Sequence, residues 1–162
     1  MVLRRVAVNT GAVVGVSLYF GLEAIVRCCN IGRKRRAVPV VDLGAIVSPA
    51  GFATLPDPLA SVQFDKVRVV APARLPIPHV GITLGHSVFL RHPLDLSRRA
   101  DQELLLHELV HVGQREREGR LGMAYAYGRG FCEAMSYRRH PMEVEARHVA
   151  REIHHRLGNP VE

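Results

Sequence analysis

The segment His107-Glu108-Leu109-Val110-His111 places two imidazoles and a carboxylate within five residues. Four residues advance an α-helix by about 400°, so the two rings stand about 40° apart and one turn up. Both can reach one divalent ion, and neutral imidazole nitrogens are good zinc ligands. Glu108 lies one residue beyond the first ring. It can touch a water at the metal without ligating the metal, which is the position of a hydrolase general base. Zn²⁺ is therefore the expected cofactor, with His107 and His111 as ligands and Glu108 as the catalytic residue. The competing reading is two histidines on the polar side of an amphipathic helix.

A third protein ligand is required. An HExxHxxGxxH continuation would supply it locally, but Gln114 and Arg117 occupy the Gly and His positions. The remaining source is a carboxylate on a later helix. Glu143 and Glu145 stand at the start of the last apolar-periodic segment. At about 100° per residue they are about 200° apart, so both cannot face one ion. They flank the apolar stripe on opposite sides, and periodicity does not choose between them. Either one also suits a first helical turn, where the helix dipole favours acids.

These groups need a scaffold. The segment before Gly119 reads as a helix capped by Ser97 or Asp101, with Leu105, Leu109 and Val112 on one stripe and Gly119 as its stop. Pro141 suits the first turn of a last helix running to about Leu157, with Met142, Ala146, Val149, Ala150 and Ile153 on one face. Upstream, residues 64–70 alternate apolar and polar, as a half-buried strand does. Residues 80–84 and 87–90 flank Gly85-His86 as a hairpin. Strands first and helices second predict an α+β fold with a small antiparallel sheet. Residues 62–162 form the expected domain, preceded by a Pro- and Gly-containing linker over 37–61.

The 162 residues carry a net charge of +7, but the charge is uneven. Residues 1–36 hold seven bases and one acid, Glu23, whereas the other 126 hold fifteen bases and fourteen acids. The domain is nearly neutral, so nothing points to a nucleic-acid partner. Three cysteines exclude a disulfide-stapled scaffold. Within Val6–Val26, fourteen of twenty-one residues are apolar and arginines flank both ends. That predicts an N-terminal hydrophobic helix acting as a single-pass membrane anchor through residues 6–26. The excess of bases after it puts the C-terminal domain on the cytoplasmic side.

The run Leu104-Leu105-Leu106-His107-Glu108-Leu109-Val110-His111-Val112-Gly113-Gln114 resembles the "LLAHELTHVVQQ" signature of small bacterial zinc metallopeptidase domains. The stretch Tyr137-Arg138-Arg139-His140-Pro141-Met142-Glu143-Val144-Glu145-Ala146 is similar to their "Y-x-x-NP-x-E-x-EA" element. Gly113 and His140 depart from the usual pattern. The resemblance implies a zincin-like fold of the glutamate-zincin type and zinc-dependent cleavage of a peptide or protein substrate. It also implies an association with contractile injection systems and toxins, where a metal-binding scaffold without catalysis is the alternative. In glutamate zincins the acidic ligand often precedes a small residue. The resemblance therefore carries the third ligand onto Glu145, with Glu143 in reserve. By the same similarity Ser87–Arg91 is the edge strand that pairs with substrate. Tyr125, Tyr127, Tyr137 and His140 are the candidate oxyanion donors.

Overall fold

The computed structural model describes residues 17, 19–31, 35–37, 54–76 and 78–158. A helix described over 19–29, here α1, precedes a short strand β1, Arg35–Ala37. Single 3-10 turns at Leu59–Ser61 and Phe64–Lys66 lead into β2, Arg68–Val70. The hairpin of β3, Gly81–Leu84, and β4, Ser87–Leu90, follows. The chain ends in α2, Arg99–Ala134, and α3, Pro141–Gly158. The class is α+β, as the order of the patterns implied.

The sheet order is β1-β2-β4-β3. It is mixed rather than purely antiparallel. The hairpin and β1·β2 are antiparallel, but β2 runs parallel to β4, with Val69 opposite Val88. Prolines 72, 76 and 78 break up the connection that could have folded β2 directly into a hairpin. Gly85 takes φ +69° and so makes the tight turn between β3 and β4. β4 is interior and β1 and β3 form the edges, so the edge strand nearest α2 is β3 (Gly81–Leu84) and not the expected Ser87–Arg91.

Strand alternation assigns one core to each face of the sheet. Val88 and Leu90 join Leu105, Leu106, Leu109, Val110 and Val112 of α2 and Ala146, Val149, Ala150 and Ile153 of α3. Phe89, Leu84 and Val70 face the other way and pack with Val26 of α1. Gly119, at φ 70° and ψ 170°, breaks α2 into a first arm ending at 118 and a second arm beginning at 120, where the sequence placed a stop. Gly113 lets the Pro58 backbone approach the first arm. A Cβ there would stand 2.2 Å from the Pro58 carbonyl oxygen. The end of the expected linker is thus built into the core, with Leu59 fully buried. Residues 38–53 of that linker lie outside the described residues.

The membrane anchor is corrected. Among the described residues no helix is long and apolar enough to cross a membrane. Residues 6–16 and 18 of the expected span lie outside them, but α1 spends its apolar face on the sheet through the buried Val26. Glu23 is buried and paired with Arg27 at 2.9 Å and Arg120 at 3.2 Å. Asn30 fastens the helix end. Its amide donates to the Val26 and Arg74 carbonyls and its Oδ1 accepts from the Arg74 N–H. An apolar stretch with one internal acid fits a docked helix as well as a span, and tertiary partners decide here for docking. The single-pass placement and the cytoplasmic orientation built on it fall together.

Candidate metal centre

The first arm of α2 presents His107, His111 and Gln114 along one side, at the i, i+4, i+7 spacing of a helix face. The opposite side holds Leu105, Leu109 and Val112 in the core. The two imidazoles meet edge to face, ring centroids 4.7 Å apart, with Nε2 to Nε2 at 3.2 Å. The third member comes from the first turn of α3. Glu143 Oε1 lies 3.3 Å from His111 Nε2, and Oε2 lies 3.3 Å from His107 Nε2. One ligand atom from each of the three residues falls within 4.8 Å of the others.

The expected third ligand, Glu145, is not in this cluster. It makes a forked ion pair with Arg117, at 2.8 and 3.0 Å, and accepts from Gln114 Nε2 at 2.8 Å. Glu143, held in reserve, takes the place instead. The reason is the docking of α3. Met142, Ala146, Val149, Ala150 and Ile153 bury against α2, and that packing turns the Glu143 flank toward the histidines. Glu145, on the other flank, reaches Arg117 further along the same helix.

Burial alone would raise the Glu143 carboxyl. Hydrogen bonds with His107, His111 and Tyr127 outweigh it and hold the group far below the usual carboxylate range. Burial lowers His111, but the hydrogen bond and charge of Glu143 more than offset that and raise it. Burial, with Glu143 beside it, pushes the Tyr127 phenol well up, so it stays a donor; its hydroxyl gives a 2.7 Å hydrogen bond to Glu143 Oε1.

The donor set fits zinc. Two imidazoles and one carboxylate are a known zinc ligand combination that leaves a coordination position open. Glu143 Oε2 is buried with no hydrogen bond of good geometry, although the residue is only 1% exposed. Its nearest basic groups are His107 Nε2 at 3.3 Å and the Arg147 guanidinium at 3.9 Å; a buried carboxylate oxygen so loosely met is costly, and a cation in the cluster would satisfy it. His111 Nδ1 is engaged by Gln114 Oε1 at 2.7 Å, which leaves Nε2 for a metal.

Glu108 lies on the adjoining side, buried against β3. The Thr83 hydroxyl sits 2.7 Å from Glu108 Oε2 and 3.0 Å from the Glu108 carbonyl. A Cβ at Gly81 would come 2.5 Å from Glu108 Oε1. Only glycine therefore leaves room for the carboxylate beside the edge strand. The charge of Glu108 is felt at His111, Tyr127 and Tyr137.

The four oxyanion candidates separate. Tyr127 is committed to Glu143. His140 is fully buried; it stacks on Tyr127 at 4.5 Å, bonds the Tyr127 carbonyl, and accepts from the Met142 N–H. Gly130 makes room for that ring, since a Cβ would stand 2.5 Å from His140 Nε2. Tyr125 is exposed. Tyr137 is exposed and its ring meets His79 at a tilt, centroids 4.7 Å apart; burial first, then the Glu143 charge, pushes its phenol up. Sequence reasoning overlooked Thr83, whose alternation with Gly81 on β3 was the available signal. It used Gln114 to reject a motif and to mark a resemblance, and gave it no part in the site.

No curated protein and no solved structure matches the chain. Residues 56–119 match the family model of the eCIS core domain, the core of extracellular contractile injection systems. The match spans the docked Pro58 segment, the sheet from β2 to β4 and the first arm of α2 with His107, Glu108 and His111. It ends before Tyr127 and Glu143, so the cluster joins a stretch similar to the eCIS core domain to a carboxylate from a helix beyond it.

Proposed function

We propose that the chain is a zinc-dependent peptide hydrolase belonging to a secretion or toxin-related system. The observation that carries this reading is the convergence of His107, His111 and Glu143, with Glu143 Oε2 making no hydrogen bond of good geometry, beside an intact Glu108. His107, His111 and Glu143 would hold the ion. When bound, zinc supplies Lewis acidity, which brings hydroxide within reach at neutral pH. Glu108 takes the proton from the attacking water and returns it to the amine nitrogen as the C–N bond breaks. Thr83 holds the Glu108 carboxylate in place, and Tyr127 holds Glu143. The β3 edge offers main-chain groups to an extended peptide directly beside Glu108, which makes peptide the natural substrate.

The eCIS core match favours a second reading, a metal-holding structural or interaction part of an injection system without catalysis. One experiment separates the two. Zinc content is measured by mass spectrometry, and cleavage of an unstructured peptide library is followed for the wild-type chain and Glu108→Gln. One zinc per chain, with cleavage lost and zinc kept in the variant, supports the hydrolase. Zinc without Glu108-dependent cleavage supports the scaffold. No zinc refutes both.

A further inference from the structure

We propose that Gln114 is a positioning residue of this centre. It fixes His111 as the tautomer that ligates through Nε2, and it ties that imidazole to the helix that delivers Glu143. The inference rests on the metal-site reading above.

Gln114 is fully buried, so its carboxamide must find partners inside the protein. Oε1 faces His111 Nδ1 at 2.7 Å, while Nε2 faces the Met142 carbonyl at 2.9 Å and Glu145 Oε2 at 2.8 Å. A carbonyl and a carboxylate can only accept. Both amide protons therefore point at them, and the reversed amide would set one oxygen against two others in a buried interface. With the amide's direction settled by its donor end, Oε1 is the only group left for Nδ1, and Nδ1 must donate. The lone pair of the neutral ring then resides on Nε2. That nitrogen is the one 3.2 Å from His107 Nε2 and 3.3 Å from Glu143 Oε1.

The same side chain sets the spacing of the ligands. Met142, whose carbonyl it holds, precedes Glu143. One carboxamide thus spans from a ligand on α2 to the residue beside a ligand on α3. Glu145 forms the outer support, since it holds Gln114 and is itself held by Arg117, which also reaches Asp57 at 3.4 Å. An apolar residue of similar volume would fill the space but would leave the tautomer undecided.

The test uses the full chain with ¹⁵N-labelled histidine. The His111 ring is read by long-range ¹H–¹⁵N correlation in the metal-free protein, with the pH raised until the ring carries a single proton, because Glu143 holds the second one above the ordinary imidazole range. Zinc affinity is measured by chelator competition. The wild type shows His111 protonated on Nδ1. In Gln114→Leu the ring becomes a tautomer mixture, and zinc affinity drops about 10–100-fold. His111 protonated on Nε2 in the wild type overturns the proposal, whether or not the leucine variant folds. So does a folded Gln114→Leu that binds zinc as tightly as wild type. A wild type that binds no zinc yet shows the Nδ1–H ring refutes the metal reading and leaves the Gln114–His111 bond standing.

Discussion

The inner and outer flanks of the first turn of α3 carry the same side chain in opposite circumstances. Glu143 is buried at 1% exposure among two imidazoles and a phenol, and one of its oxygens has no hydrogen bond. Glu145, two residues on, is about one-third exposed and is met by the Arg117 guanidinium and the Gln114 amide. Both carboxyls are held below their usual range, but for different reasons. At Glu145 the Arg117 hydrogen bond comes first and outweighs the burial that opposes it. At Glu143 burial is the largest influence, and His107, His111 and Tyr127 together overcome it. A carboxylate satisfied by a close arginine has no need of a metal, whereas one held at 3.3 Å by two imidazoles, with Arg147 no nearer than 3.9 Å, has room for a cation.

The comparison can be broken in several places. The largest effect is expected at Glu108, which belongs to neither flank. Glu108→Gln should lower peptide cleavage by about 10²–10⁴-fold while zinc stoichiometry is unchanged, measured by turnover and metal analysis. Glu143→Gln should weaken zinc binding by more than about 100-fold in chelator competition, because a ligand is lost rather than its support. Equal zinc affinity in Glu143→Gln and wild type would undo the assignment of the inner flank.

Protons compete at the inner flank. Glu143 holds His111 above the ordinary imidazole value, and zinc must displace that proton. Zinc affinity should therefore fall as pH decreases through the His111 value, by about tenfold per unit for each proton displaced. The sign for folding is the opposite in the metal-free chain. A raised histidine stabilises below its unfolded value, and that contribution is lost as pH rises through the folded one. Urea melts of metal-free protein at neutral and alkaline pH, against zinc-loaded protein, check both signs. Tyr127→Phe should weaken zinc by about tenfold, since it removes one donor to Glu143 and leaves the ligand in place. The smallest effect belongs to the outer flank. Glu145→Gln should cost about 1 kcal/mol or less in denaturant unfolding, the ordinary worth of a partly exposed ion pair.

Much of the scaffold was legible because its signals are local. The stop at Gly119 is a backbone conformation that glycine tolerates, and the Gly85 turn is another. The α3 stripe from Met142 to Ile153 is a helical period that the structure buries as read. What misled was any pattern with two solutions. The apolar N-terminal stretch suits a bilayer or a sheet face, and Phe89 and Leu84 supplied the sheet face. Residues 64–70 alternate like a strand, yet a 3-10 turn takes 64–66 and only Arg68–Val70 pairs. β4 lies closest in sequence to α2, but the parallel pairing with β2 moves it inward and leaves β3 beside Glu108.

From its residues alone the chain determined that two imidazoles share a helix face with a carboxylate at their side, because helical geometry fixes residues four apart. It also determined that the completing acid must come from Glu143 or Glu145. Which of them arrives was decided only when α3 packed on α2. A helix periodicity states which side chains share a face, but the rotation of one helix against another is set by how their apolar stripes interlock. That rotation gave Glu143 the histidines and gave Glu145 the arginine.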